Sequence, residues 1–581
     1  MKKIILSVIC FVATIVANAQ APSFQWAKGM SGTSDAGGNA IALDVLGNVY
    51  TTGTFYGTVD FDPSPGTFNL TAIGNTDIFI SKLDASGNFL WAKSIGGDTS
   101  DAGNAIAIDA AGNVYTAGYF SGTVDFDPGS GIYNLTSGGA IGSDDIFISK
   151  LDASGNFVWA KNFGGTGGKG TSIKLDTFGN VFTTGYFSGT LDFDPGAGSD
   201  SLSSFSGAGI FISKLDSLGN FVWAKNMGGI ASPANIEGYS IAIDAFNNVY
   251  TTGSFKGIVD FDPGASTFSL TAIGVGDIFV SKLDAFGNFV WAKQIIGDAT
   301  TFASTGHSIA IDGVGNAYTT GNFRGTVDFD PGAGIFNLTS TGFYYNMFIL
   351  KLDASGNFIW VDDMGGTGAS FALGASISID ATDNIYTTGN FYGTVDFDPG
   401  TGAFDLINTS TSNTDMFISK LDASGNFVWA GNISGAATSS SAGGSSIAVD
   451  ASDNIYTTGS FYGTVDFDPG AGIDSLTATA GYDDIFVLKL SQTPMGINEY
   501  ANNNNISIYP NPNNGQFNIV VSSPKQNTSL EIYNSIGAIV YSQKIVNEQN
   551  TVELTNEANG LYFVKVMCDG KMVGEKKIVK E

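Results

Sequence analysis

All seven tryptophans of this 581-residue chain fall in one phrase: Trp26, Trp91, Trp159, Trp223, Trp291, Trp360 and Trp429, at near-equal intervals. A second phrase, Asp-Phe-Asp-Pro, also recurs seven times, with its second aspartate at Asp62, Asp127, Asp194, Asp262, Asp330, Asp398 and Asp468. Two independent markers agree on seven copies of one unit between Phe24 and Leu490. A chain built this way stacks a single supersecondary unit on itself, and that excludes most globular folds at once.

The unit is strand-like throughout. Residues 105–109 (AIAID) alternate small and branched side chains, and Ala-Ala-Gly-Asn follows as a tight turn. Residues 113–120 return as a second strand, and a long excursion carries the Asp-Phe-Asp-Pro phrase. Residues 145–152 (DIFISKLD) form a third strand, and 157–161 (FVWAK) a fourth. Period-two alternation between Asp-x-x-Gly-Asn turns predicts antiparallel strands. The 78 glycines are then turns rather than disorder, since 43% of the residues are apolar. Four strands repeated seven times predict an all-β, seven-bladed β-propeller of four-stranded antiparallel blades, each with an inserted hairpin.

The two ends of the array support a ring. The first unit opens with a lone fourth strand (FQWAK, 24–28), and the last stops after its third strand (DIFVLKL, 484–490). Joining them completes the seventh blade and removes the open edges of a linear stack. The phrases IAIDAAGNVYTAG and DIFISKLDASGNFVWAK resemble the β-propeller repeat family of bacterial surface proteins. That resemblance implies the fold and an extracellular setting, and no reaction.

The composition shifts after Leu490. Residues 491–505 are polar and asparagine-rich, as a linker would be. Seven of the eight glutamates lie from Glu499 onward. Residues 506–581 alternate like the strands of a small β-sandwich. Tyr509-Pro510-Asn511-Pro512, Ile532-Tyr533-Asn534 with Gly537, Gly560-Leu561-Tyr562 and the closing Lys576-Lys577-Ile578-Val579-Lys580 resemble the C-terminal sorting domain of the Bacteroidetes type IX secretion system. The resemblance implies that residues 506–581 engage that machinery and that the protein is released outside the cell or attached to its surface. At the other end Lys2 and Lys3, the apolar run Ile4–Ala17 and Ala17-Asn18-Ala19 predict a secretory signal over residues 1–19. The propeller is then expected over 20–490. No second apolar segment appears, so the mature chain is expected to have no transmembrane segment.

Charge and rare residues narrow the function. A net charge of −29 repels phosphate backbones and anionic membranes, which argues against nucleic acid as a partner. Cys10 leaves with the signal, and Cys568 alone makes neither an internal disulfide nor a cysteine zinc site. The repeated tryptophans read as packing in the outermost strand of each blade, and the aspartates that end the first and third strands as turn caps.

The Asp-Phe-Asp pairs concentrate charge, because residues two apart in an extended chain point to one side. Asp60 and Asp62, Asp125 and Asp127, Asp192 and Asp194, Asp260 and Asp262, Asp328 and Asp330, Asp396 and Asp398, and Asp466 and Asp468 are therefore candidate calcium ligands. They are not EF-hands: Thr71, Thr136, Thr271 and Thr339 stand where the closing glutamate would be. The bland alternative is a capped hairpin turn.

No catalytic set assembles. His307 is the only histidine and reads as a loop substitution. Glu237 is the only glutamate of the propeller, and Lys256, Arg324, His307 and Glu237 form no evident group. Residues 165–170 spell a dinucleotide fingerprint that no helical pattern follows. Uniform turns on one rim and variable loops on the other place the working surface on the loops. The expectation is a non-enzymatic scaffold that binds a glycan or an envelope protein there. The alternatives are a polysaccharide hydrolase or lyase using aspartates, and a calcium-stabilised structural protein of the surface.

Overall fold

The computed structural model describes residues 21–492 and 506–581, apart from 139–142, 232, 298–303, 341–343, 409, 411–412, 436–438, 522–526, 535–537 and 569–570. The expected signal, Gly537 and nearly all of the expected linker lie outside those residues. The chain divides into two compact units, Met1–Gln492 and Thr493–Glu581. Every regular element among the described residues is a β-strand.

In the larger unit each of the first six repeats supplies four antiparallel strands in sequence order, and the seventh supplies three. In the first repeat Ala36–Leu43 pairs with Val49–Phe55, which pairs with Asp77–Leu83, which pairs with Phe89–Gly97. The first strands of the seven repeats run from Ala36–Leu43 to Ser441–Val449. Each touches the next, and the last touches the first, so they enclose an axis. The sheet that closes the ring takes its fourth strand, Ser23–Gly32, from the other end of the chain. That strand pairs with Asp483–Ser491 over Ser23↔Ser491 to Met30↔Ile485.

The inserted hairpin does not extend its own blade. Thr58–Asp60 pairs with Asn69–Thr71, and also with the fourth strand of the preceding sheet through Ser31↔Asp60 and Gly32↔Val59. The same crossing recurs around the ring, giving five six-stranded sheets and one of ten strands among the described residues. In the ten-stranded sheet Val181–Asp192 runs unbroken from second strand into hairpin and joins two repeats. The tryptophan strand is therefore fourth of six rather than outermost. Sequence alternation describes faces, not which neighbour a distant hairpin will choose.

Packing explains the phrase itself. In Asp-Phe-Asp the phenylalanine turns inward: Phe61, Phe126, Phe193, Phe261, Phe329, Phe397 and Phe467 are all fully buried. Phe61 lies 5.6 Å from Phe55, edge to face, and 5.0 Å from Phe79. Burying such a ring stabilises the fold by roughly 1.5–3 kcal/mol, so each hairpin is anchored in the core. The short turns at the opposite rim need a left-handed residue. Ten of them use glycine, with φ from +77° for Gly47 to +90° for Gly315, while Asn247, Asp383 and Asp453 take that role at +60° to +63°.

The smaller unit has a three-stranded sheet (Ile506–Tyr509, Gln516–Val521, Gln549–Glu553) and a four-stranded one (Ile539–Lys544, Thr528–Tyr533, Gly560–Cys568, Lys571–Lys580). Phe517, Ile519, Leu530, Ile532, Val552, Val564 and Ile578 fill the core between them.

Candidate functional site

The carboxylate pairs cap the hairpins. In all seven copies Oδ1 of the first aspartate accepts the amide of the second at 3.0–3.1 Å. It also accepts an amide eight residues on, from Phe68 in the first copy to Asp474 in the last, at 2.7–2.9 Å. Oδ1 of the second aspartate takes a further amide at 2.8–2.9 Å. Three amide donors thus face each pair and occupy the Oδ1 atom of both carboxylates. Among the described residues no three His, Cys, Asp or Glu side chains converge as metal ligands.

The tryptophans lock neighbouring blades. Trp26, Trp91, Trp159, Trp223 and Trp291 each donate Nε1–H to a carbonyl in the next repeat's turn, at 3.2–3.4 Å. A third-strand lysine shares that carbonyl in several repeats and lies over an aromatic ring, as Lys82 does over Tyr50 at 4.7 Å. At the seam the next turn is replaced by the two ends of the repeat array, and the buried Nε1 of Trp429 has no partner among the described residues.

The axis breaks the symmetry. Asn39, Asn104, Thr171, Tyr239, His307, Ala375 and Ser445 occupy one position of the first strands and line a common cavity. His307 is therefore in the strand Thr305–Ile311, not in a loop. A carbonyl can only accept, so Nδ1–H of His307 donates to Gly374 at 3.0 Å, much as Asn39 and Asn104 donate to Gly103 and Gly170. Burial holds the imidazole below its usual pKa, against the opposing pull of that bond. Its ring meets Tyr239 edge to face at 5.9 Å, and the Tyr239 hydroxyl donates to Glu237. Glu237 also accepts from Asn235 at 3.0 Å. Glu237 and His307 are thus linked through Tyr239, contrary to the sequence reading. One repeat earlier Lys169 pairs with Asp144 at 3.3 Å and lies 3.8 Å over the Tyr119 ring.

The loop rim is uneven as well. The residue that follows the buried second-strand phenylalanine is Tyr56, Ser121, Ser188, Lys256, Arg324, Tyr392 or Tyr462, according to repeat. Aromatics therefore fill one arc and cations the next. Tyr392 lies 5.8 Å from Phe371 at 20°, and Phe371 lies 6.4 Å from Tyr344 at 14°. These near-parallel rings form a row at the start of the strand Phe371–Ile379, and Tyr344 is 38% exposed. Sequence reasoning missed the row. The signal was present in the departures at Tyr56, Tyr392 and Tyr462, but Tyr344 lies in a connection and Phe371 at a strand start, at places that share no frame between repeats.

In the smaller unit the sorting phrases meet. Asn511 donates to the Lys577 carbonyl at 2.9 Å and accepts from the Val579 amide at 2.8 Å. The Tyr-Pro-Asn-Pro turn is thereby fixed to the lysine-rich last strand.

A strand-closed ring of repeats joined to this unit defines a secreted surface β-propeller carrying an export tag. Comparison bears that out: residues 507–581 match the family model of a secretion system C-terminal sorting domain, and residues 222–254 and 290–322 match that of a beta-propeller repeat. The chain is exported by type IX secretion to the cell surface or beyond it. It is 26% identical over 477 residues to an uncharacterized WD repeat-containing protein of Acanthamoeba polyphaga mimivirus. That match takes in 70% of this chain and only 34% of the relative. Among solved structures it is similar to Sqt1 from Chaetomium thermophilum (11% identity, 81% of this chain and 99% of that one, TM-score 0.36). It is also similar to PorZ, a surface component of the Porphyromonas gingivalis type IX system (10% identity, 96% and 100%, TM-score 0.23). The architecture stands on the strand pairing, not on these likenesses.

Proposed function

We propose that this protein is a non-enzymatic scaffold of the cell surface that binds a glycan through the loop-rich rim of its propeller. The row Tyr344, Phe371 and Tyr392 carries the reading. Sugar rings present flat C–H faces that aromatic rings accept, and polar groups around the platform orient the hydroxyls. Asn390 stands one residue along the strand from the buried Phe391, beside this row, and its side chain takes the Gly444 amide at 3.1 Å. A rigid polar neighbour of that kind favours a preformed site. The non-enzymatic reading rests on the axial groups, where His307 and Glu237 are each committed to bonds within the fold. Calcium, if it takes part, has the unshared Oδ2 atoms of the carboxylate pairs as its ligands.

A glycan array probed with the full mature chain, with and without calcium, tests this. Binding is expected to survive chelation, because amide donors already meet the pairs' charge. Each of Tyr344→Ala, Phe371→Ala and Tyr392→Ala is expected to weaken it by on the order of tenfold. Array binding that all three variants retain unchanged would remove the rim from the reading. Binding lost on chelation would give calcium a direct role.

A further inference from the structure

The short turns opposite the loop rim all follow one plan, and one arc of them carries rings that the plan does not need. In the turns around Phe178, Leu218, Phe246, Phe286 and Val314 the capping aspartate accepts the amide of that residue at 2.8–3.0 Å. The bond pins the backbone and leaves the side chain outside, where these five are 70–81% exposed. They fill five of the six short turns in the third, fourth and fifth repeats. The second, sixth and seventh repeats have Ala111, Ser154, Thr382, Ser424 and Ser452 at the same place. Large apolar side chains gathered on one arc of a soluble surface, with no packing to do within the fold, mark a contact surface.

Charge sets this arc apart as well. Lys282 pairs with Asp244 at 3.8 Å, and Lys161 and Lys225 lie against Gly219 and Gly287 in the turns that Asp216 and Asp284 cap. The capping acids of the arc are therefore matched by lysines. Further round, Asp383 and Asp453 are themselves the left-handed residues of their turns. Asp362 and Gly431 there stand in place of the lysine. The rings thus occupy the balanced part of the rim of a strongly acidic chain.

The chain's route gives this rim a neighbour. The strand Asp483–Ser491 ends where a third-to-fourth turn would otherwise be, and the chain runs on from that rim to the sorting unit. A tail held at the cell surface therefore tethers the propeller by the rim that carries the rings.

We propose that the turns of the third to fifth repeats dock the propeller on a zwitterionic lipid surface, with Phe178, Phe246 and Phe286 entering the interfacial layer. Aromatic rings favour that layer, where an apolar body meets a wet boundary. Each tip is a single side chain between a capping aspartate and a glycine or asparagine. No continuous apolar face forms of the kind that the core of a protein interface needs, whereas separate rings on rigid turns can each enter a fluid layer. The net charge of −29 excludes an anionic bilayer and leaves a zwitterionic one. This contact lies on the opposite rim from the glycan platform, and neither depends on the other.

Flotation of the full mature chain with phosphatidylcholine vesicles tests this, beside a variant carrying Phe178→Ser, Phe246→Ser and Phe286→Ser. Serine is what other repeats carry at these turn positions, so the variant is expected to fold and to melt with the parent. The parent is expected to float with the vesicles, and the variant to bind them on the order of a hundredfold more weakly. Raised salt is expected to leave the parent's binding in place, and phosphatidylglycerol in the vesicles to reduce it at low salt. A parent that stays at the bottom of the gradient, or a variant that floats as well as the parent, would overturn the proposal. Dimers of the parent that the variant loses would overturn it too, by assigning the rings to a second copy of the chain.

Discussion

Asp362 occupies the place that Lys28, Lys93, Lys161, Lys225 and Lys293 hold in other repeats, directly after the tryptophan strand's central pair. Burial, with Asp363 and Asp422 nearby, pushes its carboxyl up to about 7. An unfolded aspartate loses its proton near 3.9. Between those values the folded chain binds the extra proton, so this group's stability is present at about pH 4 and is lost as pH rises through 7. Melting of Asp362→Asn should therefore exceed that of the parent at pH 8, by on the order of a degree or two, and converge with it at pH 4.5. Equal melting at both pH values would mean the carboxyl is not perturbed. The neighbouring position shows how one repeat re-solves a shared contact. Asp277 accepts from Gln294 at 2.6 Å, whereas in the fifth repeat Asn346 donates to Asp363 at 2.7 Å. Donor and acceptor have exchanged strands, and the bond is kept.

Strand by strand, the repeat was legible and its crossings were not. Alternation and Asp-x-x-Gly-Asn turns mark all four strands of each unit, because those signals are local. The hairpin's partner is another repeat's edge, and nothing within Thr58–Asp60 records which edge it will meet. The aromatic row was hidden for the same reason, being assembled from a loop, a strand start and a strand end. Closure, by contrast, could be read from the unpaired pieces at the two ends. It leads to a prediction about the strand Ser23–Gly32, which pairs on one side with Asp483–Ser491 and on the other with Thr58–Asp60. Deleting residues 21–30 should expose two edges at once, lower the melting temperature and produce multimers by edge pairing. Light scattering and calorimetry would show it. A monomer that melts where the parent does would rule out a closing role for this strand.

For the whole molecule, the smaller unit carries the sorting signal for export and the larger unit is what it exports. The sorting phrases were legible because they are motifs, although their mutual contact through Asn511 was not. A chain ending at Gln492 should cross the inner membrane and collect in the periplasm, with little reaching the medium or the surface. Fractionation and immunoblotting measure this, and normal export of that chain would dismiss the tail's role. The closing strand also has a consequence in time. Ser23 and its partner Ser491 are 468 residues apart. At about 5–20 residues per second, synthesis of the span between them takes roughly 20 to 90 s. For that interval the strand that will finish the ring has no mate, and the last repeat to emerge must find the first. Survival of the newborn chain then rests on whatever shields one ten-residue segment until its counterpart arrives.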